Sequence, residues 1–124
     1  MRYACIDVGL KRIGIATSFG FGVITPQKAV LRKNRTQASK EIKEFLNLWN
    51  IDILVVGVPS SHETTTKRIK HFVELIEFDK TIVYQDENMS SNEAKELIKG
   101  EMKQKRDGRI DSLSASIILQ RYLK

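Results

Sequence analysis

An uninterrupted apolar run rich in β-branched residues, DILVVGVP at positions 52–59, lies near the middle of the chain. A strand that is apolar on both sides has no face for solvent. This run therefore predicts a central strand that is covered on both faces of its sheet. Gly57 and Pro59 mark the end of the strand.

The spacing of apolar residues predicts the elements around this strand. Tyr3–Val8 and residues 14–18 form a two-stranded hairpin, and a third strand covers residues 21–31, where Pro26 favours an edge or a bulge. From Thr36 the apolar residues fall at helical spacing. The remaining predicted elements are a helix with Ile69, Phe72, Val73 and Ile76 on one stripe, a strand at 80–86 (KTIVYQD), a capped helix at 89–100 (MSSNEAKELIKG), a charged loop at 102–109 and a largely buried closing helix at 110–123 (IDSLSASIILQRYL).

The order of these elements predicts the fold class. Antiparallel strands come first and helices then alternate with strands, which predicts an α/β protein with a mixed five-stranded sheet and helices on both faces. No repeat or linker divides the sequence, so we expect a single domain over residues 1–124. We expect Tyr3, Tyr84, Tyr122 and Trp49 to lie in the core, with Trp49 anchoring the first helix rather than stacking on bases.

Composition narrows the class of protein. No apolar run approaches the ~20 residues of a membrane span, and Asp7 interrupts the first apolar stretch too early for a signal peptide. The single cysteine, Cys5, excludes an internal disulfide framework and a cysteine-rich zinc site, and in a strand it is most simply a small buried hydrophobe. We therefore expect a soluble protein of a reducing compartment, with no membrane partner.

The formal net charge is +6 and the pI is about 9.6, which suits a polyanionic partner or simply keeps the protein soluble. The cations are clustered along the sequence, which favours a polyanionic partner, because solubility alone does not require clustering. Between positions 2 and 40 the only acidic residue is Asp7. The clustered cations are Arg2, Lys11, Arg12, Lys28, Arg32, Lys33, Arg35 and Lys40, and then Lys99, Lys103, Lys105, Arg106 and Arg109.

Acidic residues occur at three notable places. Asp7 lies inside the first strand, Asp86 and Glu87 stand at the end of the last strand, and Asp111 starts the closing helix. A carboxylate in an apolar strand is costly unless it is paired or binds a metal, and sites gather at the carboxyl ends of strands in α/β sheets. Alone, Asp111 is explained as a helix cap. Together, these positions predict a three-carboxylate cluster for one or two hard divalent cations.

Such a cluster suits the hydrolysis of a phosphodiester. Two metal ions about 4 Å apart can activate a water and stabilise the leaving oxygen. Gly9 lets the backbone approach a phosphate, and Lys11 and Arg12, two and three residues after it, are contacts for neighbouring phosphates.

Four blocks of the sequence, IDVGLKRIGIATS, VVGVPSS, DENMSSNEAKE and IDSLSASIILQRYL, resemble in order those of the YqgF/RuvX family of Holliday-junction-resolvase-like nucleases. The first and last blocks are the most specific, and together the four span nearly the whole chain. The resemblance implies a ribonuclease H-like fold and a cytoplasmic bacterial enzyme that matures the 5′ end of pre-16S rRNA. Resolution of branched DNA junctions is the alternative.

The resemblance also implies the site. Asp7, Glu87 and Asp111 are its catalytic residues and metal ligands, with Mg²⁺ or Mn²⁺ as the cofactor. The sequence departs from the family pattern at 88–90 (NMS), where Arg and Thr-type residues are usual, and at 60–68 (SSHETTTKR), which lacks the usual glycine. The expected nucleic-acid contacts are Gly9, Lys11, Arg12, Ser60, Lys103, Lys105, Arg106 and Arg109.

Other interpretations of the sequence remain open. A non-catalytic RNA-binding factor of ribosome assembly would keep the basic surface and use the acids only structurally. An actin-like ATPase would need two related domains, and one is present. Asp107 is either a fourth ligand or part of an Asp-Gly turn, while His62 and His71 give weak support for a zinc site or a catalytic triad. We expect RNA or branched DNA, and ribosomal precursor particles, as partners of a monomer or homodimer.

Overall fold

The computed structural model of the protein describes residues 1–86 and 109–124, apart from the side chains of 109–111. In these ranges the chain forms five strands and three helices. They are β1 (Tyr3–Val8), β2 (Arg12–Ser18), β3 (Thr25–Leu31), α1 (Arg35–Leu48), β4 (Ile53–Val58), α2 (Glu63–Ile76), β5 (Thr81–Asp86) and α3 (Arg109–Leu123). The helix predicted at 89–100 lies outside the described residues, as does the loop at 102–109 except for its last residue, Arg109, which begins α3.

The strands form one mixed sheet in the order β3-β2-β1-β4-β5. β2 pairs antiparallel with both β1 and β3, whereas β4 pairs parallel with both β1 and β5. This confirms the predicted mixed five-stranded sheet and the inner position of the apolar run that forms β4. Pro26 lies in β3 at the sheet edge, where its missing N–H costs no ladder bond.

Two strands start two or more residues away from the predicted position, and the backbone explains both differences. The third strand starts at Thr25 rather than at 21, because Gly20, Phe21 and Gly22 have positive φ angles of 119°, 58° and 70° that no strand can adopt. The second strand starts at Arg12, two residues before the predicted start at 14, because Arg12 already pairs with Leu31 of the neighbouring strand β3.

The two faces of the sheet are covered by different helices. The larger core cluster joins alternate residues of the central strands, such as Ile6, Ile15 and Val56, to buried residues of α1 and α2. The smaller cluster joins the intervening residues, Cys5 among them, to Ala115, Ile118 and Leu119 of α3. The predictions of helices on both faces, of a buried Cys5 and of a buried closing helix are confirmed. No helix in the described ranges is both long and apolar enough to cross a membrane.

The predicted core positions of Trp49 and Tyr84 are wrong. Trp49 is 36% exposed because α1 ends at Leu48, and the indole lies at the helix cap, stacked on Phe19 with 5.5 Å between ring centroids. Tyr84 lies on an edge strand and is 39% exposed. Tyr3 and Tyr122 pack half-buried against the smaller cluster.

Candidate active site

The strands β1, β4 and β5 are parallel, so all three end at the same edge of the sheet, which we call the carboxyl edge. β2 begins at this edge and β3 ends there, because β2 is antiparallel to both of its neighbours. Asp7 is the penultimate residue of β1, and Asp86 is the last residue of β5. The topology therefore gathers two of the predicted acidic positions at one edge, where α/β proteins commonly bind ligands.

Asp7 has a distinctive place in the sheet. Its side chain is half-buried. On the neighbouring strand β2 it is paired with the buried residue Gly14, which has no side chain. Strand alternation puts Asp7 on the same face as Cys5, which is the face covered by α3. A carboxylate is therefore held on a central strand, in contact with other groups of the protein.

Helix α3 begins at the carboxyl edge and runs toward the opposite end of the sheet. Near its end Tyr122 packs against Tyr3 at the start of β1, with 6.1 Å between the ring centroids. Near its beginning Ser112 contacts Ile15 and Gln27. The backbone of Asp111, one residue before Ser112, thus lies in the first turn of a helix that covers the face of Asp7.

Ser112 fills an interruption in the sheet. The register of β2 and β3 shifts between Ile13 and Ile15, which leaves a bulge in their ladder. The Ile15 amide donates to Ser112 Oγ at 3.0 Å, and this hydroxyl donates in turn to the carbonyl of Gln27. Ser112 is fully buried, so its hydroxyl fixes the start of α3 against both strands. Sequence reasoning missed this residue, because the contact joins positions 97 residues apart.

The turn between β1 and β2 is tight and well supported. The Gly9 amide donates to the carbonyl of Arg12 at 3.0 Å, and a Cβ atom on Gly9 would lie only 2.5 Å from that oxygen. The turn itself thus requires glycine, in addition to the predicted approach to a phosphate. Lys11 and Arg12 are exposed on this turn, as a role in binding phosphates needs.

Arg32, directly after β3, clamps this turn from the side. Its backbone amide donates to the carbonyl of Lys11 at 2.8 Å, and its Nη1 donates to the carbonyl of Gly9 at 3.0 Å. Its guanidinium lies 5.1 Å from the centroid of the Phe72 ring in α2. Burial, and then the neighbouring charges of Arg68 and Arg35, lower the pKa of Arg32 below its ordinary value.

The other predicted site residues fall into two groups. Ser60, His62 and His71 are exposed, and the hydroxyl of Ser61 lies 3.1 Å from Nδ1 of His62. Residues outside the described ranges, or described by backbone alone, are Glu87, Lys103, Lys105, Arg106, Asp107, Arg109 and Asp111. Within the described part of the chain, no three His, Cys, Asp or Glu side chains come together as metal ligands.

Comparison with solved structures identifies the fold. The chain superposes on Thermus thermophilus RuvC in complex with a Holliday junction substrate with a TM-score of 0.65, at 12% identity, covering 99% of this chain and 94% of that RuvC chain. It also superposes on the fowlpox virus Holliday junction resolvase with a TM-score of 0.56 at 13% identity, over 100% of both chains. Identities this low carry the fold alone, which is ribonuclease H-like, as predicted.

Sequence relatives are much closer. A protein of Sulfurimonas denitrificans described as "Putative pre-16S rRNA nuclease" is 52% identical over 127 residues, covering 100% of this chain and 98% of the relative. A Helicobacter pylori protein with the same description is 48% identical over 128 residues, covering 98% of this chain and 94% of the relative. A family model described as "RuvX: Holliday junction resolvase" matches residues 1–124. The chain therefore belongs to the RuvX family of nucleases, the family that its four sequence blocks indicate.

Proposed function

We propose that this protein is a divalent-metal-dependent nuclease that processes the 5′ end of pre-16S rRNA. The observation that carries the proposal is the position of Asp7: a half-buried carboxylate opposite a glycine, at the carboxyl edge of a ribonuclease H-like sheet. The descriptions of the close relatives favour pre-16S rRNA as the substrate.

The donor set fits a hard divalent cation, because carboxylate oxygens are the ligands that Mg²⁺ and Mn²⁺ prefer. Asp7, Glu87 and Asp111 would hold the metal. Asp7 stands at the end of β1, Glu87 directly follows the last residue of β5, and Asp111 belongs to the first turn of α3. The bound metal would activate a water and neutralise charge on the phosphate.

The basic turn next to Asp7 would hold the substrate backbone. Lys11 and Arg12 are exposed within a few residues of Asp7, so their charges can meet phosphates that flank the cleaved bond. Ser60, exposed after the end of β4 at the same edge, is a further hydrogen-bond donor. Backbone contacts of this kind position a nucleic acid without reading its sequence. Lys103, Lys105, Arg106 and Arg109 would extend this basic surface.

Cleavage of four-way DNA junctions is the second candidate function, because the superposed structures and the family model carry that description. A junction presents paired cleavage sites, so this activity would suit a two-fold homodimer, whereas rRNA processing suits a monomer equally well. We place the enzyme in the bacterial cytoplasm, acting on precursor ribosomal particles.

The deciding experiment incubates wild type and Asp111→Asn with pre-16S rRNA fragments and four-way DNA junctions, in magnesium, in manganese and in EDTA. Asp79→Asn is the matched control, since it removes one exposed carboxylate from the loop before β5, at the opposite end of the sheet. Metal-dependent RNA cleavage that is lost only in Asp111→Asn supports the proposal. Cleavage of the junction alone favours the second candidate. Tight RNA binding without cleavage in any metal would instead identify a non-catalytic assembly factor.

A further inference from the structure

We propose that Arg32, Arg35 and Arg68 form a second phosphate-binding site, the arginine triad, which holds the nucleic-acid backbone beside the carboxyl edge. The triad lies on the face of the sheet covered by α1 and α2, whereas Asp7 lies on the face covered by α3. The inference rests on the proposed function in one respect: the bound phosphate is taken to belong to the nucleic acid that is cleaved next to Asp7.

Arg32 is the fixed member of the triad. Its hydrogen bond to the Gly9 carbonyl and its position over the Phe72 ring hold the guanidinium in one orientation. A guanidinium carries five N–H donors, and Gly9 takes one of them among the described residues. An arginine that is already ordered loses little further freedom when it binds a phosphate, and its planar group can donate two parallel hydrogen bonds.

Arg68 and Arg35 approach Arg32 from two different helices. Arg68 stands four residues before Phe72 in α2, so both side chains lie on the same face of that helix, and Arg32 lies over the Phe72 ring. Arg35 is the first residue of α1, three positions after Arg32. Both Arg35 and Arg68 are exposed and can reach a ligand from solvent.

Among the residues that the structure describes, no carboxylate pairs with the triad to balance its charge. The first turn of α1 also contains no acidic residue. The charges of Arg68 and Arg35 act on Arg32 strongly enough to lower its pKa, in addition to the effect of burial. Three converging like charges are costly to assemble, and a bound phosphate relieves this repulsion.

The triad lies close to Asp7, and this location suits it to hold the same nucleic acid. Arg32 contacts Gly9, which is two residues from Asp7 and therefore roughly 7 Å away along the chain. A strand that passes over the turn at Gly9 can thus place one phosphate at the metal ligands and another in the triad. Holding the backbone at both points would fix which bond meets the metal.

The test measures binding of fluorescein-labelled RNA containing the 5′ end of pre-16S rRNA, and of a labelled four-way DNA junction, by anisotropy over a series of salt concentrations. Every protein carries Asp7→Asn so that binding is read without cleavage. We compare this background with Arg35→Gln/Arg68→Gln. The matched control is Lys40→Gln/Lys43→Gln, which removes the same charge from exposed positions further along α1.

In the arginine variant, the loss of two phosphate contacts on a single strand should make the negative slope of log K against log salt shallower by about 1.4. Affinity at low salt should fall by roughly tenfold or more. The lysine control should change the slope by much less. Equal slopes for the arginine and lysine variants would overturn the triad, even if wild type cleaves RNA normally. A selective loss in the arginine variant supports it, even if wild type cleaves nothing and the proposed nuclease function fails. Absence of binding to both probes overturns both proposals, and the DNA arm tells which nucleic acid the triad holds.

Discussion

Two arginines at opposite ends of the sheet use the same contact in different surroundings. At the carboxyl edge, Arg32 lies 5.1 Å from the centroid of Phe72 and donates to the carbonyl of Gly9. At the far end, Arg2 lies 5.0 Å from the centroid of Phe19 and donates to the carbonyl of Trp49. Each places a guanidinium on an aromatic ring and joins two segments that are distant in sequence.

The difference lies in what surrounds each pair. Phe72 is 1% exposed and Phe19 is 41% exposed, so only the first contact is shielded from water. The far end also carries a carboxylate, since Asp52 accepts from the amide of Arg2 at 2.8 Å, whereas the charges that lower the pKa of Arg32 are those of two more arginines. The contacts of Arg2 at the far end thus hold segments of the fold together. At the carboxyl edge, Arg32 lies among positive charges that could bind an anion.

The largest effect that separates the two ends should come from Asp7→Asn. Asp7 is a metal ligand in the proposed site, and loss of such a ligand would remove transition-state stabilisation of several kcal/mol. We therefore expect cleavage of pre-16S rRNA to fall by about 100-fold or more, with RNA binding largely kept. Arg2→Ala at the far end should leave kcat/KM within about twofold. Single-turnover cleavage in magnesium measures both. Full activity of pure Asp7→Asn protein would contradict the proposed site.

The second effect concerns how firmly α3 is held at the carboxyl edge. Ser112→Ala leaves the buried amide of Ile15 and the carbonyl of Gln27 without their shared partner, which should lower the free energy of unfolding by about 2–3 kcal/mol. Urea denaturation measures this change.

Ser116→Ala is the matched control for that measurement. The hydroxyl of Ser116, one turn further along α3, donates only to the carbonyl of Ser112 within the helix. Its loss should cost less than about 0.5 kcal/mol, because alanine is also a better helix former. Similar costs for the two serines would show that the bulge does not depend on the Ser112 hydroxyl.

The third effect compares the two arginines directly. Arg32→Ala removes a hydrogen bond and a shielded cation–π contact, so we expect the free energy of unfolding to fall by about 1–2 kcal/mol even after the repulsion from Arg68 is relieved. Arg2→Ala, at an exposed ring, should cost less than about 1 kcal/mol. Urea titrations of both variants under one buffer give the difference. A larger loss for Arg2→Ala would reverse the comparison.

Much of the fold could be predicted because its signals are local. The unbroken apolar run of β4 requires cover on both faces, and the apolar stretches of β1 and β2 stand close enough in sequence to pair as a hairpin. Trp49 was misplaced for a local reason too, since helical periodicity continues through position 49 while the helix ends at Leu48. Periodicity does not report where backbone geometry stops a helix.

The site was predictable only in part, because some of its contacts depend on tertiary structure. Asp7 is visible in the sequence as an acid within an apolar strand. Ser112 is not, since its partners become available only where the register of β2 and β3 shifts. Arg68 has no signal of its own, and its proposed role depends on the fold, which places Arg32 over the ring of Phe72.

The smallest effect is an expected absence of change at the far end. Trp49 is the only tryptophan of the chain. It stacks on Phe19, and the guanidinium of Arg2 lies over the Phe19 ring, so the fluorescence of Trp49 reports on this end alone. β1 separates it from Asp7 by more than 10 Å. RNA bound at the carboxyl edge should therefore leave the emission maximum and intensity of Trp49 unchanged, whereas Arg2→Ala should alter both in the absence of RNA. A saturable quench by RNA, lost in Phe19→Leu, would mean that bases stack at the far end and that both ends of the sheet bind the substrate.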